Sequence, residues 1–182
     1  MVSLDMDEDE HTKEVYAQFG LAMYCAQAVE SAIAVTLLHL DLIPKRASSK
    51  ARTMAEWESE IDSFTRKQFE ETLGGLIKRL RSVAPVPDAS AGALRDALAK
   101  RNWLAHGYFW SRSEQFLSMS GRESMLKEII AARGVFDRAE SMLLEVVADA
   151  GKTYGITQAM VDMVFAEQIA KLSDPPCEND SK

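Results

Sequence analysis

The chain is expected to be all-α, a bundle of five or six helices. Only five prolines and nine glycines occur in 182 residues, and β-branched runs are scarce, a composition that favours helix. Apolar residues recur three, four and seven positions apart over long stretches. The Pro- and Gly-containing breaks fall mostly between those stretches. With 47% hydrophobic residues, a chain of this length reads as one domain with a substantial core.

The elements follow in order. Residues 1–10 read as a loosely held acidic arm, residues 11–173 as the helical domain, and residues 174–182 as a disordered polar tail. The first helix is expected from about Thr12 to Asp41, with Phe19, Met23, Ala26, Ile33, Leu37 and Leu40 as its apolar stripe. Leu37 to Ile43 partly alternates and could be a strand, but the helical period continues into it. Pro44 is expected to end the helix. A basic loop follows with Lys45, Arg46, Lys50 and Arg52, either a solvated connector or a phosphate-contacting patch. A second helix spans Met54 to Thr72, and Gly74-Gly75 marks a bend or break. A short helix to about Val83 carries Lys78, Arg79 and Arg81, and Pro85 and Pro87 close it. The next helix begins near Ala91, capped by Asp88 or Ser90, and Gly107 offers its stop. Tyr108, Phe109 and Trp110 form an aromatic cluster, suited to stacking on bases or to anchoring a loop on the core. The stretch to Met119 reads as loop. Ser120-x-x-Glu123 is a capping-box signature that opens a long helix, which Gly134 can bend and Gly151 and Gly155 finish. A last helix capped by Thr157 carries Met160, Met163, Val164, Ile169 and Leu172.

The most informative stretch is Arg101-Asn102-Trp103-Leu104-Ala105-His106-Gly107-Tyr108. On a helical wheel of about 100° per residue, Ala97, Leu98, Leu104 and Ala105 fall within about 80° of Leu94 and form an apolar arc. Arg101 falls about 20° from Leu94, inside that arc, where a cation needs a partner. Asp96 and Glu30 are the candidate partners. Asn102 and His106 are four apart and share one flank.

Arg101, a polar residue, three further residues and His106 at a helix end resemble the Rx4–6H motif of the HEPN superfamily. The extension to Tyr108 is similar to the HepT-like toxin subgroup. Glu30 within Ala26-Gln27-Ala28-Val29-Glu30, and Thr72-Leu73-Gly74-Gly75-Leu76-Ile77, also resemble parts of that superfamily, and the resemblance covers roughly residues 14 to 150. It implies a small HEPN-like helical domain forming a two-fold dimer, and metal-independent RNA cleavage in a toxin or host-defence setting. By it Arg101, Asn102 and His106 are catalytic, and Tyr108 is the site where a nucleotidyltransferase-like antitoxin attaches AMP. Tyr108 could equally be a packed aromatic. The longer segment after the motif departs from the compact HepT-like pattern.

The chemistry suits these side chains. Metal-free cleavage uses the RNA's own 2′-hydroxyl, and needs a proton acceptor, charge stabilisation on phosphate and a proton donor. Imidazole titrates near neutral pH and serves for proton transfer. Guanidinium binds two phosphate oxygens at once, and Asn102 can orient either group. Arg101 and His106, however, point about 140° apart on an ideal helix, which favours a composite cleft across a homodimer. Lys45, Arg46, Lys78, Arg79 and Arg81 are the candidate RNA-binding cations. The alternatives are a non-catalytic module of the same fold binding RNA, nucleotide or protein, and a purely structural dimer in which Arg101 and His106 hold the interface together.

Charge and cysteine content bound the rest. The net charge is −7, but residues 5–10 carry −5 and the tail −2, so the body is formally neutral. Local basic patches can still matter, though this is not a strongly basic nucleic-acid binder. Two cysteines, Cys25 and Cys177, argue against a disulfide framework and fit a reduced, cytoplasmic setting. His11, His39 and His106 show no metal-ligand spacing, so neither metal nor cofactor is expected. No signal pattern and no uninterrupted apolar run of spanning length is evident, so no membrane partner is expected.

Overall fold

The computed structural model describes residues 8–47, 53–83, 88–155, 157, 159–160, 162–163, 166 and 169–170. The basic-loop positions Lys50 and Arg52, most of the acidic arm and the tail lie outside them. The described chain is an all-α bundle, and no strand occurs among the described residues. Its elements are α1 (Glu8–Leu37), a π-helical turn (Leu38–Leu42), α2 (Ile43–Ala47), α3 (Met54–Phe69), α4 (Leu73–Val83), α5 (Asp88–Ser111), α6 (Ser113–Phe116) and α7 (Met119–Thr153). Of the expected last helix, residues 159, 160, 162, 163, 166, 169 and 170 are helical.

Two long helices form the frame. Val15, Ala22, Ala26, Val29, Ile33 and Leu37 of α1 are buried, as are Met125, Ile129, Ala132, Phe136, Ala139 and Leu143 of α7. Their three- and four-residue spacing lays a continuous apolar seam along each helix. The alanines in both seams let the backbones approach closely. The pair runs parallel, because Arg122 meets Glu8 and Arg133 meets Gln18 about three helical turns further along each helix. Leu73, Leu76, Ile77 and Leu80 of α4 and Leu94, Ala97, Leu104 and Tyr108 of α5 complete the core.

Several boundaries differ from expectation, each for a physical reason. Residues 8–10, expected in the acidic arm, form the first turn of α1, where carboxylates favour the helix dipole. The Glu8 carboxylate accepts from Arg122 Nη2 at 3.0 Å. Pro44 does not stop the helix. The π turn just before it shifts the register, with Ile43 N–H donating to Leu38 O, and proline's missing donor falls where the ladder is already displaced. The chain thus continues helical to Ala47. This Glu8–Arg46 unit is long and apolar enough, by length and composition, to cross a membrane; 44% of its most apolar window is buried inside the bundle, and it packs on α4, α5 and α7.

Helix α3 opens with a capping box. Thr53 Oγ1 accepts from Glu56 N–H, and the Glu56 carboxylate accepts from Thr53 N–H. It ends at Phe69 rather than Thr72, and Gly74 and Gly75 lie in the first turn of α4 rather than in the break. Helix α7 starts one position before the expected cap, with Ser118 Oγ accepting from Gly121 N–H at 3.2 Å. Only glycine fits at 121, since a Cβ there would lie 2.0 Å from Gln115 O. Arg122, its side chain 4% exposed, donates to Phe116 O at 2.9 Å and ties α6 onto α1.

Helix α5 runs straight through Gly107 to Ser111, and the expected loop shrinks to the connections around α6. Glycine costs about 1 kcal/mol in a helix interior. The burial that follows outweighs it: Tyr108 is 1% exposed and donates to Met125 O at 2.9 Å. Its ring lies edge-on to Trp103 at 4.8 Å and stacks on Phe19 at 6.0 Å, while Phe109 packs on Phe19 at 4.9 Å.

Two substitutions test this frame. Gly121→Ala is expected to lose about 1–3 kcal/mol in urea unfolding, because the α6–α7 junction must open to admit the methyl. Tyr108→Phe keeps the ring but removes the hydroxyl's bond to Met125 O, which retains its helical partner, and is expected to lose about 1 kcal/mol.

Candidate functional site

The motif occupies the C-terminal half of α5, whose faces have separate fates. Leu94, Ala97, Leu104 and Tyr108 point into the core. Ala105, expected in the apolar arc, is exposed, and Leu98 is only partly buried. Among the described residues no helix covers that side of α5 at the level of the motif. Arg101, Ala105, Asn102 and His106 therefore border one open surface, with the small Ala105 side chain between the longer ones.

Arg101 lies at the edge of this surface, its side chain 29% exposed. Of the two expected partners, α1 supplies Glu30, with Nε to Oε1 at 3.8 Å. On its other side Arg101 Nη1 donates to Asn102 Oδ1 at 3.4 Å, a long contact that draws the guanidinium back toward the exposed flank. Asn102 and His106 are exposed one turn apart on that flank. Burial pushes the Glu30 carboxyl above its ordinary range, and the Arg101 charge offsets this only in part. The residue singled out in the leading helix and the motif arginine are thus neighbours in space.

Tyr108 is separate from this surface. It faces inward, its hydroxyl on Met125 O, and burial together with the Glu128 charge pushes its ionisation well above the ordinary range. Arg112 forks onto Glu128, Nε to Oε2 at 2.8 Å and Nη2 to Oε1 at 3.0 Å, and lies over the Trp103 ring. These surroundings support the packed-aromatic reading of Tyr108. Trp110, one turn beyond His106, is by contrast 89% exposed.

The five cations expected to bind RNA divide into two groups. Lys45 and Arg79 both pair with Asp41, which is buried, and Arg79 also reaches Glu71 at 3.5 Å and lies over Phe64. Arg46 pairs with Glu60. Lys45 and Arg79 share a cavity of about 450 Å³ with Leu40, Pro44, Ser82 and Val83, but Asp41 is at its wall and offsets their charge. Lys78 and Arg81 instead line a groove of about 290 Å³ between α4 and α5, with Gly74, Ile77, Leu98 and Arg95. Arg95 escaped the sequence reading; its place seven residues before Asn102, on the same stripe, was the signal available. Among the described residues no group of three or more His, Cys, Asp or Glu side chains could hold a metal ion. Compared with known proteins, the chain matches no family model, no curated protein and no solved structure.

Linkage sets a sign for the Glu30–Arg101 pair. A carboxyl whose folded pKa is raised gives stability that is complete below its unfolded pKa and is lost as pH rises through the folded value. Removing Arg101 raises that pKa further. Arg101→Ala should therefore cost up to about 1 kcal/mol at neutral pH, and less as pH falls through the Glu30 titration. Glu30→Gln in the same background should recover the loss at neutral pH. Thermal melts from pH 7 to 4 (about the span of a carboxyl titration) check all three points.

Proposed function

We propose that this chain is a metal-independent endoribonuclease of the HEPN type that works as a homodimer, with the motif helices facing each other across the two-fold axis. The observation that carries the reading is the open surface of α5, where Arg101 leans toward Asn102 while Asn102 and His106 stand uncovered on one flank. A single chain supplies the groups but no opposing wall. A second copy would supply both the wall and the convergence that one helix lacks. The exposed Trp110 next to His106 suits the apolar anchor of such an interface.

In this site His106 takes the proton from a ribose 2′-hydroxyl. That oxygen bonds to the adjacent phosphorus, and the bond from phosphorus to the 5′-oxygen breaks. The imidazolium or water returns a proton to the leaving oxygen. The partner subunit's Arg101 binds the phosphate oxygens and stabilises the charge that develops on them. Asn102 orients phosphate or imidazole. A nucleotidyltransferase-like antitoxin, if one pairs with this chain, would need the end of α5 to open before it reached the Tyr108 hydroxyl, which is occupied at Met125 O.

A second reading is favoured by one contact. The Arg101–Glu30 pair is what an arginine serving only to join α5 to α1 would make, and it fits a non-catalytic helical module or a structural dimer.

Cleavage of labelled RNA in chelator separates the two. The nuclease reading expects wild-type product and a loss of about a hundredfold or more for His106→Ala, with stability changed by less than about 0.5 kcal/mol. Trp110→Asp should give a folded monomer in light scattering that cuts no RNA. Monomers that cut as fast as wild type would refute the composite site, and an inert wild-type protein would favour the module.

A further inference from the structure

We infer that the groove between α4 and α5 is the site that grips the sugar-phosphate backbone of single-stranded RNA and leads it to the motif, with Arg95 as the residue linking the two; this rests on the endoribonuclease reading above. Three cations line the groove: Lys78 and Arg81 from α4 and Arg95 from α5. None makes an ion pair with a described carboxylate; Arg81 reaches only Ala91 O, at 3.5 Å. Lys45 and Arg79, around Asp41, and Arg46 with Glu60 are compensated. In a body that is formally neutral, three cations without a described ion-pair partner around one cavity of about 290 Å³ form a local anion site.

The groove also has an apolar floor. Ile77 and Leu98 lie beneath the cations. A bare phosphate or a highly charged small anion has no use for that floor, whereas a nucleotide strand sets ribose and base faces against it while its phosphates meet the rim. Position joins the groove to the motif. Leu98 and Ala105 are seven apart on α5, and so are Arg95 and Asn102, so each pair lies on one stripe about 10 Å apart along the axis. A strand held at Arg95 therefore runs straight onto the uncovered surface between Arg101 and His106. Arginine at this position can fork onto a phosphate that lysine would hold only as a point charge.

The test uses the full chain carrying His106→Ala, so that the probe survives, and a fluorescein-labelled single-stranded RNA of about twelve nucleotides titrated at several KCl concentrations. The combined variant Lys78→Gln, Arg81→Gln, Arg95→Gln should bind about tenfold more weakly or worse, and the slope of log affinity against log salt should flatten by about 2. Arg95→Glu alone, at an exposed side chain, should reproduce most of the loss with an unchanged melting temperature. Lys127→Gln, on a helix that lines no part of the groove, should bind within about twofold of the parent. Equal affinity and slope in the combined variant would overturn the groove. So would displacement of the RNA by a polyglutamate peptide at matched charge, in favour of an acidic protein segment. A protein that binds RNA through these cations but leaves it intact with His106 restored keeps the groove and refutes the nuclease. One that cuts RNA with unchanged KM in the combined variant refutes the groove and keeps the nuclease.

Discussion

The seating of Tyr108 against Met125 O fixes everything the motif can do. That hydrogen bond, with Phe19 and Trp103 around the ring, clamps the far end of α5 between α1 and α7. With one face of the helix committed to the core, the wheel leaves the others no choice. Arg101 comes to the seam with α1, and Asn102 and His106 come to solvent. A buried tyrosine is thus the device that aims the polar side chains.

The second constraint is the unequal covering of α5. Its N-terminal half packs beside α4, and the two together form the cationic groove. At the level of Ala105 no described helix follows, and the surface opens. An incomplete bundle around one helix is where a second copy or a ligand can add the missing contacts. Compensation of charge follows a similar division. The cations near the π turn are absorbed by Asp41 and Glu71, whereas those beside α5 make no ion pair with a described carboxylate.

Much of this was legible in the residues. The helical period and scarcity of breakers gave the all-α class, and the seams of α1 and α7 follow the three-and-four spacing of their apolar residues. The Glu30–Arg101 contact was one of two partners that an arginine inside an apolar arc required. What the residues concealed was tertiary. Gly107 looks like a stop until the burial of Tyr108 and Phe109 is counted, and Pro44 looks like an end until the π turn displaces the ladder. Ala105 belongs to the apolar arc on the wheel, yet exposure depends on which neighbour is absent, and no local pattern records that. Arg95 was overlooked because its significance comes from Lys78 and Arg81, on another helix, at the same cavity.

The central claim is that an arginine and a histidine from different copies of α5 act on one phosphate. Subunit mixing tests it most directly. Arg101→Ala and His106→Ala proteins are each assayed alone for RNA cleavage, then co-refolded or co-expressed in equal amounts. Each mixed dimer then contains one site with both groups intact, so activity should return to as much as about half the wild-type value per heterodimer. Mixed dimers as inert as their parents would contradict the shared site and leave α5 as a scaffold helix whose Arg101 merely joins it to α1.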